Sequence, residues 1–91
     1  MARFLIQSPH KPEECLRALD GIFAKGKDTL EKYEFGCREG DHTGYMTVDA
    51  GTKNEVLNKY VPDFLQSKAR VVEIQKFTPD EIKAFHLMKA A

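Results

Sequence analysis

The chain has 91 residues, enough for one domain and not two, and its 42% apolar and 31% charged residues fit a globular fold and exclude a disordered chain. Lysine plus arginine balance aspartate plus glutamate at 14 each, and the basic residues are scattered. Phosphate neutralisation dominates nucleic-acid affinity, so no nucleic-acid partner is expected. No apolar run approaches the length of a membrane span, and the one in Met1–Gln7 is too short for a secretory signal, so the expected location is cytoplasmic.

The two cysteines, Cys15 and Cys37, are too few for a disulfide scaffold and read as free thiols of a reducing compartment. A domain this small buries only about 60–65% of its unfolded surface, a thin margin that pairing with a second copy often supplements.

In chain order, residues 2–8 read as a strand with Phe4 and Ile6 on one face and Arg3, Leu5 and Gln7 on the other, stopped by Pro9. Both faces carry apolar character, which predicts some cover on both. Residues 12–24 read as a helix with Pro12, Glu13 and Glu14 in its first turn. Its apolar stripe is Cys15, Leu16, Leu19, Ile22 and Phe23; Gly21 weakens it by about 1 kcal/mol relative to alanine, and Gly26 ends it. Residues 28–32 suit one more helical turn.

Residues 33–38 and 44–50 alternate as two strands, joined through Glu39–Thr43 as an antiparallel hairpin. Thr52 and Glu55 form a capping box, which starts a helix carrying Val56, Leu57, Tyr60, Val61, Phe64 and Leu65, with Pro62 ending or kinking it. Residues 70–77 read as the last strand. Thr78 and Pro79 then open a short helix with Ile82, Phe85 and Met88 or Lys89 on one side.

The order β-α-β-β-α-β predicts an α+β fold, ferredoxin-like, with a four-stranded antiparallel sheet and helices on one face. Residues 1–91 form one domain, with 78–91 as a helical extension. The second sheet face needs a cover, and a homodimer partner is the simplest one. No internal repeat or low-complexity segment interrupts this scheme.

The length and element order resemble the dimeric α+β barrel superfamily. The strings Ser8-Pro9-His10, Glu14-Cys15-Leu16-Arg17-Ala18-Leu19-Asp20, Gly40-Asp41-His42-Thr43-Gly44 and Lys76-Phe77-Thr78-Pro79 also resemble a group of small uncharacterised bacterial proteins. The superfamily resemblance implies two ferredoxin-like chains stacking their sheets around a shared barrel. It spans isomerases, cofactor-independent oxygenases, haem-handling enzymes and ligand-sensing modules, and fold alone does not choose among them.

In this topology the first two strands run parallel. The end of the first strand, the start of the first helix and the hairpin therefore share one sheet edge. That edge collects His10, Cys15, Cys37 and His42, the ligand types of a soft divalent metal site or of a thiolate paired with a base. The spacings match no standard zinc pattern and contain no CxxC.

Each residue also has a plain reading. Cys15 reads as a small core residue of the helix stripe, or as a thiolate favoured by the helix N-terminus. Cys37 reads as core or strand edge, His42 as a polar hairpin residue, and His10 as a capping or exposed residue. Asp41 suits turn geometry, or would orient His42 or bind a cation. His86 lies on the final helix, facing a partner or solvent.

Arg3, Gln7, Tyr45, Thr47 and Asp49 are placed by strand alternation as polar groups of a shared, mostly apolar cavity, or as interface hydrogen bonds. Phe35, Tyr45, Phe77 and Phe85 read as packing. No glycine-rich phosphate loop, GxSxG or HExxH is present. The leading expectation is a homodimer binding a small molecule in the sheet cavity. The alternatives are a barrel-type isomerase or cofactor-independent oxygenase, a metal or thiol site at the His/Cys edge, and a regulatory partner that docks through its C-terminal helix.

Overall fold

The computed structural model describes residues 1–90; Ala91 and the side chain of Lys89, which the expected C-terminal helix included, lie outside the described residues. The chain forms strand β1 (Ala2–Pro9), helices α1 (Cys15–Lys25) and α2 (Lys27–Lys32), strands β2 (Glu34–Gly36) and β3 (Asp41–Ala50), helix α3 (Lys53–Tyr60), strand β4 (Arg70–Ile74) and helix α4 (Pro79–Ala90). The strands form one antiparallel sheet in the order β2-β3-β1-β4, the ferredoxin-like arrangement that the element order predicts.

Strand alternation divides the sheet into two chemically different faces. Phe4, Ile6, Met46 and the half-buried Val71 point to the side where α1 contributes Ala18 and Ile22 and α3 contributes Val56 and Tyr60. These residues, with Tyr33, Val61 and Leu65, form the core. The opposite face carries Arg3, Leu5, Gln7, Tyr45, Thr47, Asp49, Arg70, Val72 and Ile74, and among the described residues no helix packs over it.

Local signals explain the helix ends. Thr52 Oγ1 accepts from the Glu55 amide at 3.2 Å while the Glu55 carboxylate accepts from the Thr52 amide at 3.2 Å, so the capping box starts α3 as expected. Thr78 and Glu81 make a similar exchange at the start of α4. Helix α3 stops at Tyr60, two residues before Pro62, and Phe64 and Leu65 fall in a separate 3₁₀ turn.

Several expected details differ. Strand β2 is only three residues long, because the register shifts between Phe35 and Gly36 and the chain turns through Cys37–Glu39. Cys37 therefore sits on a 3₁₀ turn and not on a strand, while His42 belongs to β3 and not to the hairpin link. The last strand stops at Ile74, and β1 includes Pro9 as its final residue. Leu16 and Phe23 were expected in the buried stripe of α1, but both are exposed. Ala18 and Ile22 take the core positions, so the buried stripe is narrower than the apolar one.

Gly21 has a packing reason. A Cβ there would lie 2.9 Å from Pro62 Cγ and 3.0 Å from Pro62 Cβ, and Pro62 is a buried ring with no rotamer to escape into. Gly21→Ala is expected to lower the thermal midpoint. The gain in helix propensity is about 1 kcal/mol, whereas overpacking costs about 1–3 kcal/mol. A raised midpoint would show that α1 moves away from Pro62 freely.

Tyr33 locks α3 from the other side. Its hydroxyl donates to the Tyr60 carbonyl at 2.8 Å, and burial pushes its ionisation far above the usual tyrosine range. In the unfolded chain the phenol titrates near pH ~10. Above that pH the unfolded chain sheds a proton that the folded chain keeps, so stability falls as pH rises. The urea midpoint is expected to drop from pH ~10 upward, and to drop less steeply in Tyr33→Phe. At neutral pH that variant is about 1–3 kcal/mol less stable, because the Tyr60 carbonyl loses its partner.

Helix α4 stands off the body. Every residue from 75 to 88 is exposed, including Phe77, Ile82, Phe85, Leu87 and Met88. Phe77 and Phe85 meet edge to face, at 5.8 Å between ring centroids. The radius of gyration is 16.5 Å, against about 12 Å for a compact chain of this length.

Candidate metal centre

The corner where β1 ends is built from four short devices. The His10 amide donates to the His42 carbonyl at 2.9 Å, which continues the β1–β3 pairing one step past Pro9 and Thr43. That bond sets the two histidines side by side, with ring centroids 5.8 Å apart and planes at 71°. Next comes the 3₁₀ turn Pro12–Glu14, closed reciprocally. The Glu14 amide donates to the Lys11 carbonyl at 2.9 Å, and the Lys11 amide donates to the Glu14 carboxylate at 2.9 Å. The Lys11 amide, more than any other group, holds the Glu14 carboxyl below its ordinary pKa.

That turn delivers Cys15 as the first residue of α1. On the facing hairpin, Cys37 opens the second 3₁₀ turn, which the Gly40 amide closes onto the Cys37 carbonyl at 3.0 Å. Gly40 has φ of 85°, the left-handed region where a side chain is strained. The chain then re-enters the sheet at β3, whose second residue is His42.

The outcome is a convergence of all four residues on the expected edge. One ligand atom from each of His10, Cys15, Cys37 and His42 lies within 4.8 Å of the others. Cys15 Sγ and Cys37 Sγ are 4.0 Å apart, and Cys37 Sγ is 3.9 Å from His10 Nε2. Bonds of about 2.3 Å to sulfur and 2.0–2.1 Å to nitrogen place the vertices of a tetrahedron about 3.3–3.8 Å apart. The Cys15–Cys37 and Cys37–His10 edges are a few tenths of an ångström longer than those of a four-coordinate shell, and separations of up to 4.8 Å within the cluster shorten by as much as about 1–1.5 Å when an ion is bound. His10 is buried and the other three are half-buried.

Two further observations fit an ion at this corner. Among the described residues, the buried side-chain polar atoms without a hydrogen-bond partner are Ser8 Oγ and His42 Nδ1. Ser8 pairs with Gly44, two residues from His42 on the same sheet face, so both orphaned atoms belong to this end of the sheet. The donor set also balances charge: two thiolates offset the charge of a divalent cation, and two neutral imidazoles complete the shell. In the protein alone, burial and then the Cys15 thiol beside it hold the Cys37 thiol above its ordinary pKa. An ion binding there displaces protons from the thiols.

Asp41 does not join the cluster. Its carboxylate accepts from Thr43 Oγ1 at 2.7 Å and from the Tyr45 hydroxyl. Those two hydroxyls, Tyr45 first, hold its pKa below the ordinary value, and the same bond raises that of Tyr45. Asp41 is thus a brace for β3, and its side-chain hydrogen bonds go to Thr43 and Tyr45 and not to His42. His86 is exposed on α4, remote in sequence from the cluster.

The expected cavity residues do share one face. Arg3, Gln7, Tyr45, Thr47 and Asp49 lie together on the uncovered side, where Arg3 Nη2 donates to Thr47 Oγ1 at 3.2 Å. In the single chain they border open grooves and not an enclosed chamber. One groove of about 380 Å³ runs along Leu5, Glu34, Phe35, Tyr45 and Thr47. Another of about 340 Å³ lies between Gln7, Tyr45, Lys68 and Arg70.

The sequence spacing of the set is symmetric, although it matches no standard zinc pattern. His10 and Cys15 are separated by four residues, as are Cys37 and His42, so the set is two mirrored half-sites, one from each side of the corner. No helix among the described residues is long and apolar enough to cross a membrane. Compared with family models, with curated proteins and with solved structures, the chain matches none.

Proposed function

We propose that the protein binds one soft divalent d-block ion, of the zinc class, through His10, Cys15, Cys37 and His42. The observation that carries this reading is the approach of four ligand atoms, from two places in the chain, to within 4.8 Å. Four protein ligands fill a tetrahedral shell, and filled shells belong to structural or regulatory ions, whereas catalytic ions keep a position open for water or substrate. The ion thus ties the β1–α1 junction to the β2–β3 hairpin.

Equilibrium dialysis of the reduced chain against micromolar zinc, followed by elemental analysis, tests the reading. One zinc per chain in the wild type and none in Cys15→Ser/Cys37→Ser is the expected result. A wild-type chain that retains no zinc while remaining folded would remove it.

A second reading concerns the uncovered sheet face. A second copy laid on that face would close the grooves around Arg3, Gln7, Tyr45, Thr47 and Asp49 into a cavity for a small molecule, as the dimeric α+β barrel resemblance implies. The exposed apolar side chains of α4 and the half-buried Leu5, Val72 and Ile74 support it. Sedimentation equilibrium showing a stable monomer at micromolar concentration would eliminate the shared cavity. Removal of residues 79–91 separates the roles of the helix: loss of self-association places it in the dimer, and an intact dimer frees it for another protein.

A further inference from the structure

We infer that the metal centre is redox-gated: a peroxide-class oxidant joins Cys15 to Cys37 as a disulfide and expels the ion. This rests on the metal-binding reading and adds a regulation to the same four residues.

The geometry supplies each requirement. The two sulfurs already face each other at 4.0 Å; a disulfide brings them to about 2.05 Å. Cys15 and Cys37 are half-buried, so a molecule the size of hydrogen peroxide reaches them. They are also the two cysteines of the sequence, and no third thiol competes within the chain. The closing movement falls on the more pliant side. Cys37 follows a register shift at Phe35 and Gly36 and precedes the left-handed Gly40, so its turn is flanked by glycines at both ends. Cys15 is anchored at the start of α1.

The reaction balances. One metal-bound thiolate attacks the O–O bond of hydrogen peroxide, forming an S–O bond and releasing hydroxide. The second thiolate attacks that sulfur, the S–S bond forms and the second hydroxide leaves. Two protons from solvent convert both hydroxides to water. The two sulfurs lose two electrons, the peroxide gains two, and the ion keeps its charge throughout. It is left with two neutral imidazoles. Losing even a supporting outer-shell group lowers metal affinity about 10–100-fold, so loss of both thiolates is expected to weaken zinc binding more than about a hundredfold.

The test starts from zinc-loaded, full-length protein prepared without oxygen. Hydrogen peroxide is added while a chromophoric chelator reports free zinc, thiol titration counts the cysteines, and intact mass identifies the product. The expected result is one zinc released per two thiols lost, with a mass lower by two hydrogens and recovery of zinc binding after dithiothreitol. In Cys15→Ser, peroxide is expected to add oxygen to Cys37 or to link two chains through it, and no single chain loses two hydrogens. Zinc retained after both thiols have oxidised, oxygen addition in place of the internal disulfide, or release that dithiothreitol does not reverse would each overturn the switch. A reduced chain that never binds zinc overturns the metal reading itself and is seen before any oxidant is added.

Discussion

Zinc in thousandfold excess over its dissociation constant is expected to raise the thermal midpoint of the reduced wild-type chain by well over ten degrees. A ligand that binds only the folded state at that excess stabilises it by about 4 kcal/mol. Each kcal/mol moves the midpoint of a domain in this size range by roughly 4–8 °C. The four ligands come from two places in the chain, His10 and Cys15 on one side and Cys37 and His42 on the other. Only the folded corner presents all four. Each half-site alone offers two ligands to the unfolded chain, which takes back part of the gain. Differential scanning fluorimetry with and without zinc checks the shift. Cys15→Ser/Cys37→Ser is expected to show none, and an equal shift in that variant would locate the ion elsewhere.

Ile6→Ala is expected to cost about 2–5 kcal/mol, the range for truncating a fully buried large aliphatic side chain. Ile6 lies at the centre of β1, with Met46 beside it on β3 and Val71 on β4, and is 0% exposed. The substitution leaves a cavity that two hydrogen-bonded neighbours hold open. A chain of this length has a total stability of roughly 5–14 kcal/mol, so the loss is a large fraction of the whole. Urea denaturation measures it: the midpoint falls while the denaturant slope stays near the wild-type value. Ile6→Val is expected to cost about 0.5–1.5 kcal/mol. A loss under 1 kcal/mol in Ile6→Ala would mean that the sheet and helices close over the gap.

The element order was legible because local chemistry and periodicity agreed. Thr52 with Glu55, and Thr78 followed by Pro79, mark helix starts that the structure keeps. Alternation through Phe4, Ile6 and Ser8 assigns the buried side of β1. Alternation misled at Tyr33–Arg38, where the pattern continues but Gly36 admits a register shift and the chain turns. The apolar stripe of α1 overstated its buried face for a tertiary reason. The close approach of Gly21 to Pro62 sets how the helix lies, leaving Leu16 and Phe23 to solvent.

The site followed from topology more than from motif. Parallel β1 and β2, with β3 between them, bring the end of one strand beside the turn that follows the other, and the four ligands meet there. Asp41 adjoins His42 in sequence yet bonds Thr43 and Tyr45, because neighbouring residues on a strand point to opposite faces. Arg3, Gln7, Tyr45, Thr47 and Asp49 share the uncovered face by strand register. Whether that face closes into a chamber depends on a second molecule, which one chain's pattern does not encode.

The exposure of α4 has a consequence for local unfolding. A helix of 12 residues gains little from its own hydrogen bonds in water; most helices of that length persist because one side is packed. With residues 79–88 exposed throughout, the amides of α4 open independently of the core and exchange near the rate of a frayed end. If a second copy lies against the helix, slowed exchange there appears only as protein concentration rises, while the amides of β1 and β3 keep their protection at every concentration. The C-terminal segment thereby becomes a built-in gauge of association, readable by hydrogen exchange without any label.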